Sequence, residues 1–167
     1  RFDAAPMGGV VNIVTNRGEH VNAAVLTVGD YGTGAFSAGA LGNKQILGQD
    51  VEHLFVVDGF QTEGDFTFYD NNATEFVLSD DVMTQRANND KRQLNLLARL
   101  RTKDITLTDS VLLRDAGVPG PGVAQSLASR STVNRNLFGL SLSRTNGSWG
   151  QTFSLWDHLR VETYDDR

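Results

Sequence analysis

Cysteine is absent from the 167-residue sequence, which removes a disulfide framework and a thiolate zinc site from consideration. Proline is scarce as well: three residues leave nearly every backbone amide free to donate to a sheet. No basic excess is present. Fifteen Lys and Arg stand against 20 Asp and Glu, a formal charge of -5, so no face suited to nucleic acid is expected and nucleic acid is not an expected partner. No apolar run approaches the ~18 residues of a membrane helix. That absence excludes a spanning helix and nothing more. Strands of a membrane barrel alternate faces over about ten residues, so their averaged hydropathy looks soluble. The mean hydropathy of -0.27 therefore does not separate a barrel from a water-soluble domain.

What the sequence does have is glycine, 17 residues of it, with many Thr, Asn and Ser, a mixture that favours strands and turns over helices. Period-two alternation is clearest in the second half. In Leu94–Arg101 one parity reads Leu94, Leu96, Ala98, Leu100 and the other Asn95, Leu97, Arg99, Arg101. After the polar break 102–104, the run 105–114 sets Ile105, Leu107, Asp109, Val111 and Leu113 against Thr106, Thr108, Ser110, Leu112 and Arg114. A third alternating pair spans 137–160 around Asn146-Gly147, and Asn-Gly between alternating strands predicts a type I′ hairpin turn at those two residues. Phe138, Leu140, Leu142, Phe153 and Leu155 should share one face. Weaker runs lie at 21–29, 34–42 and 51–60.

The connections alternate in length. Segments 61–91 and 115–132 are long, 102–104 and 145–148 are short, 29–33 is brief and 43–50 intermediate. In an antiparallel meander successive turns fall at opposite ends, which collects the long loops at one end and the short turns at the other. Outer-membrane barrels have this asymmetry together with one apolar and one polar face. The expected fold is all-β: an antiparallel meander forming an incomplete transmembrane β-barrel of about seven strands. A soluble β-sandwich, serving as a carbohydrate-binding or interaction module, is the alternative; there a second sheet would bury the apolar face. Asp109 resists the barrel reading, because it falls on the apolar parity near mid-strand. A bulge after Leu107 or a neighbour outside this sequence would relieve it.

Enzyme signatures are missing. His20, His53 and His158 are scattered with no nucleophile motif around them, and Gly117–Gly122 lacks the Lys-Ser/Thr of a phosphate loop. The stretch Asp70–Thr74 with Asp80 and Asp81 has oxygen donors at calcium-like spacing, but Glu75 stands where such a loop needs Gly. No enzymatic activity, cofactor or metal is expected.

The opening stretch Ala5–Gly18 carries Gly8-Gly9-Val10-Val11-Asn12-Ile13-Val14-Thr15, which resembles the end of the plug domain in TonB-dependent outer-membrane receptors. VNAAVLTVGDYGTGAFSAGALG at 21–42 looks like the first barrel hairpin of that family. GDFTFYDNNATEFVLSDD, QRANND, LLARLR and RDAGVPG are similar to its first long loops and strands. The resemblance implies that residues 1–18 are the C-terminal remnant of a plug, including its last strand, and 19–167 the N-terminal portion of a barrel that closes with 22 strands in full receptors. It implies a receptor importing a scarce nutrient of the siderophore, cobalamin or oligosaccharide class through the outer membrane of a Gram-negative bacterium. Its partners would be that small-molecule ligand, outer-membrane lipid and the TonB complex, the last through a segment outside this sequence. It also orients the chain, with 29–33, 61–91 and 115–132 extracellular and 43–50, 102–104 and 145–148 periplasmic. On that orientation the ligand-binding candidates are Phe66, Phe68, Tyr69, Asn71, Asn72 and Arg86, with Phe76 and Arg92 close by in sequence.

Overall fold

A computed structural model describes residues 21–74 and 76–166, so the expected plug remnant at 1–18 and His20 lie outside the described residues. Seven strands form one antiparallel sheet: β1 (Val21–Gly29), β2 (Thr33–Ile46), β3 (Gln49–Thr62), β6 (Lys91–Arg101), β7 (Ile105–Gly117), β8 (Arg130–Asn146) and β9 (Trp149–Asp165). They are hydrogen-bonded in that order, a plain meander. Among the described residues the sheet is open, with β1 and β9 at its edges. A separate two-stranded ribbon, β4 (Thr67–Asp70) and β5 (Val82–Gln85), folds within the connection between β3 and β6.

Register converts the alternation into two faces. Leu94 stands opposite Gly59 and Leu113, and Leu96 opposite Val57 and Val111; further across, Leu140 is level with Leu107 and Leu155, and Leu142 with Ile105 and Phe153. These residues, with Leu26, Phe36, Ala38, Phe55, Leu100 and Phe138, form one apolar face. The opposite face holds Glu52, Asp58, Asn95, Arg99, Thr106, Thr108, Arg114, Arg135, Ser141 and Arg160.

Nothing among the described residues covers the apolar face. Leu26 is 79% exposed, Val28 80% and Phe153 61%, and Val133 is the one buried core hydrophobe among those residues. Soluble monomers rarely leave so wide an apolar patch bare. The open edges add a second liability, since each offers unpaired backbone donors and acceptors.

The two ends of the sheet differ more than the sequence indicated. The 43–50 connection shrinks to a two-residue turn, Leu47-Gly48, because β2 and β3 run on to Ile46 and Gln49. Both turn residues take positive φ, 52° and 76°, the type I′ geometry whose twist matches the strands. The last hairpin corrects the expected turn by one residue. Asn146 pairs with Trp149, so the turn is Gly147-Ser148 and Asn146 belongs to β8. Only Gly147 there has positive φ, at 63°, the type II′ pattern that a Gly-Ser pair serves. The expected shared face of Phe138, Leu140, Leu142, Phe153 and Leu155 is present.

The long segment 61–91 is also revised: it contains β4 and β5 rather than being loop throughout, and β3 and β6 reach into it at Thr62 and Lys91. Similarly β7 extends to Gly117 and β8 begins at Arg130, which reduces 115–132 to a shorter connection with one 3-10 turn at Gly122–Ala124. The polar residues of these extensions mask the period of two.

Register also explains Asp109. Pairing between β7 and β8 is continuous from Ile105 to Gly117, so no bulge intervenes. Instead Asn136, one row away on the same face, donates its Nδ2 to Asp109 Oδ1 at 2.8 Å.

Candidate functional site in the interlocked loop end

Three connections meet at one end of the sheet: the 30–32 turn, the 63–90 segment and the 118–129 segment. They are tied to one another by hydrogen bonds rather than splayed into solvent. The Tyr31 carbonyl accepts from the Glu63 amide at 3.0 Å, and Asn89 donates its Nδ2 to the Gly64 carbonyl at 2.8 Å. Ala87 N–H donates to Gln125 Oε1 at 2.7 Å, and Gln125 Nε2 returns a bond to the Gln85 carbonyl at 3.2 Å. Asn88 Nδ2 reaches the Ser129 carbonyl at 2.7 Å, and Arg86 donates to the Gly120 carbonyl.

Gly117 marks the tightest approach. Its N–H donates to the Asp90 carbonyl at 2.8 Å, and a Cβ added at this position would overlap the Asn88 carbonyl oxygen. The clash is with backbone, so it cannot be relieved by a side-chain rotation. Gly117→Ala is expected to separate 86–90 from the end of β7 while leaving the strands paired. Faster proteolysis within 63–90, with an unchanged circular-dichroism strand signal, would register it.

Arg130 clamps the same region at the first position of β8. Its guanidinium donates in a fork to Asp90, at 2.9 and 3.2 Å, and to Asp115, with Nε to Oδ1 at 3.0 Å. Asp115 accepts from Thr132 Oγ1 as well, at 3.3 Å. These groups lie above the apolar rows, which begin at the level of Leu94 and Leu113. Hydrogen bonding to Arg130 holds the Asp90 and Asp115 carboxyls below the usual carboxylate range, and the two acids raise Arg130 in turn. Because the carboxyl values are depressed on folding, the clamp contributes stability above the ordinary carboxylate value of about 4, and that contribution fades as pH falls through the folded values. Acidification below about pH 4 should therefore loosen the loop end, and Arg130→Gln should remove most of that acid-linked change in protease sensitivity.

The aromatic residues form a stepped surface on this scaffold. Tyr31 and Phe66 meet edge to face with centroids 6.2 Å apart, and Phe66 meets Phe68 in the same manner at 6.2 Å. The Arg86 guanidinium carbon lies 5.8 Å from the Phe68 ring centre, within cation–π range. Gly122 packs against that ring, where an added Cβ would come within 3.0 Å. The structure thus brings together Phe66, Phe68 and Arg86 from the sequence candidates. Tyr31, Gly122 and Arg130 join them and were not singled out by sequence, because their importance comes from contacts between separate loops.

Tyr69, Asn71 and Asn72, on the same ribbon as Phe68, make local contacts within it instead. Tyr69 O–H donates to Asp81, and that bond raises the phenol further above its ordinary value and keeps it a donor. Asn71 and Asn72 build the ribbon tip: Asn72 N–H donates to Asp70 Oδ1 at 2.9 Å and Ala73 N–H to Asn71 Oδ1 at 3.3 Å. The nearby carboxylates are engaged by these local donors, Asp80 by the Thr74 hydroxyl at 2.9 Å. Among the described residues no group of three His, Asp or Glu side chains is placed to hold a metal. His53 lies on the apolar face with its ring 6.0 Å from that of Phe55, whereas His158 lies on the polar face of β9.

Rings at stepped angles beside one guanidinium suit stacking against a planar or sugar-like ligand and offer no nucleophile–base pair. Comparison of the chain with protein-family models, with curated proteins and with solved structures returns no match.

Proposed function

We propose that this chain forms part of the barrel wall and extracellular capture surface of a TonB-dependent outer-membrane receptor that imports a scarce nutrient. One observation carries the reading: a seven-stranded meander leaves its apolar face bare, with tight turns at one end and interlocked loops at the other. Strands β6 to β9 are 11 to 17 residues long, at or above the about 9–11 a tilted strand needs to cross a bilayer. Trp149, exposed on the apolar face at the turn end, stands where an aromatic girdle would meet the lipid interface. A sandwich would need a second sheet over that face, and among the described residues the only other sheet is the ribbon of four-residue strands β4 and β5.

In this reading lipid replaces the missing cover, the unlike ends face opposite sides of the membrane, and the aromatic step at Tyr31, Phe66 and Phe68 meets ligand from outside. Transport would draw on the inner membrane through TonB, and the chain would catalyse no reaction. Expression of the full-length protein, followed by outer-membrane fractionation and an uptake screen of ferric chelates, cobalamin and oligosaccharides, tests it. Deleting 64–88 is expected to weaken binding of the imported compound at least tenfold while a folded barrel stays in the membrane. Uptake that persists without TonB, or a full-length protein that is monodisperse without detergent, would refute the reading.

A further inference from the structure

Cross-strand register on the polar face places two arginines directly opposite each other, Arg135 on β8 and Arg160 on β9. Arg114 on β7 is opposite Val133, which makes it the diagonal neighbour of Arg135 on the same face. Directly opposed residues lie about 5 Å apart and diagonal ones about 7–8 Å, and like charges so placed repel. The local acids offset only one of the three charges. Glu162 takes Arg160 at 2.6 Å, and Asp58, the acid in the same row, lies three strands from Arg135 and accepts from Ser37. Elsewhere on this face Arg99 has its own carboxylate, Glu52 at 3.2 Å. Among the described residues Arg135 makes no ion pair, and Arg114 Nε is buried with no hydrogen-bond partner.

A repulsive pair beside a guanidinium whose inner nitrogen is unsatisfied is an arrangement that an anion would complete. We propose that the polar face of β7–β9 holds an anion site in which Arg114, Arg135 and Arg160 grip a phosphate- or carboxylate-bearing ligand. Guanidinium forks match the oxygen spacing of both groups. Beside Arg135, in the next row of β7, Ser110 supplies a neutral hydroxyl, and Glu162, paired with Arg160 and diagonal to Arg135, is the one acid in these rows of β7–β9. The assignment rests on the polar face lining a water-filled channel, since on an exterior skin bulk water would screen the three charges. It adds an anionic ligand group, taken below the aromatic step, to the receptor reading.

The test titrates inorganic phosphate into the full-length protein in detergent micelles at low ionic strength, read by calorimetry and by thermal unfolding. Phosphate should bind, raise the melting temperature, and lose at least tenfold in affinity in Arg114→Gln and in Arg135→Gln. Arg144→Gln, at the turn end of the opposite face, should bind as the parent does. Without phosphate, Arg135→Gln should unfold no earlier than the parent, because it removes a repulsion. No phosphate binding by the parent, or binding that survives both substitutions, would overturn the site. Vesicle insertion is scored separately on the same preparation, so a failed barrel and a failed anion site give different results.

Discussion

On the proposed barrel reading, Leu107→Arg and Val111→Arg in the full-length protein should each destabilise the vesicle-inserted fold by about 2–4 kcal/mol, the penalty for a cation near the bilayer midplane on a lipid-facing strand. Both positions lie on the apolar face of β7, one row to either side of Asp109. Thr108→Arg, between them in sequence but on the face that already holds Arg99 and Arg135, should change stability by less than about 1 kcal/mol. Denaturant titration in vesicles measures all three variants. The contrast arises because a one-residue step along a strand crosses from one face of the sheet to the other. Equal effects at positions 107 and 108 would mean that the apolar face does not meet lipid. Thickness adds a second reading: the penalty at Leu107 should exceed that at Ile105, which lies closer to the turn end and to interfacial water.

The faces were legible in the sequence for a physical reason. Leu94–Arg101 and Ile105–Arg114 alternate with only Leu97, Asp109 and Leu112 out of pattern, and a period of two is the signature of a sheet with unlike faces. The order of the seven strands was also legible, since each short polar break forces its neighbours to be antiparallel partners. Turn position was less so. Asn146-Gly147 is the stronger turn pair in isolation, but continuing the β8–β9 ladder to Asn146 and Trp149 gains pairing and leaves Gly147 to supply the positive φ. Ladder extension likewise explains why 43–50 closed into Leu47-Gly48.

The candidate site was only half legible. Phe66, Phe68 and Arg86 stand out in a polar stretch, so composition alone finds them. Tyr31 and Arg130 do not, because their roles depend on which loops share an end and how far each strand runs before it turns. Tyr31 meets Phe66 across 35 positions of sequence, and Arg130 meets Asp90 across 40. No local pattern encodes contacts at those separations.

Asp109 and Asn136 should prove strongly coupled. Asn136→Leu leaves the Asp109 carboxyl on an apolar face without its 2.8 Å donor, and a buried group deprived of its partner costs about 1–3 kcal/mol. Asp109→Leu alone strands the Asn136 amide and should cost about 1 kcal/mol or less, since a neutral amide is cheaper to desolvate than a carboxylate. Replacing both with Leu should restore parental stability or exceed it, because apolar groups of similar volume then meet the same surroundings. A double-mutant cycle in vesicles should therefore return a coupling energy of about 1–4 kcal/mol. A value near zero would mean that the pair does not form in the membrane. The second outcome to watch is expression. If the double variant is more stable yet reaches the outer membrane in lower yield, the pair is serving assembly or contact with a neighbouring protein. Asp157 strengthens that expectation: it occupies the same row as Asp109, on the far side of Phe138, so a second carboxylate stands on the apolar face of β7–β9.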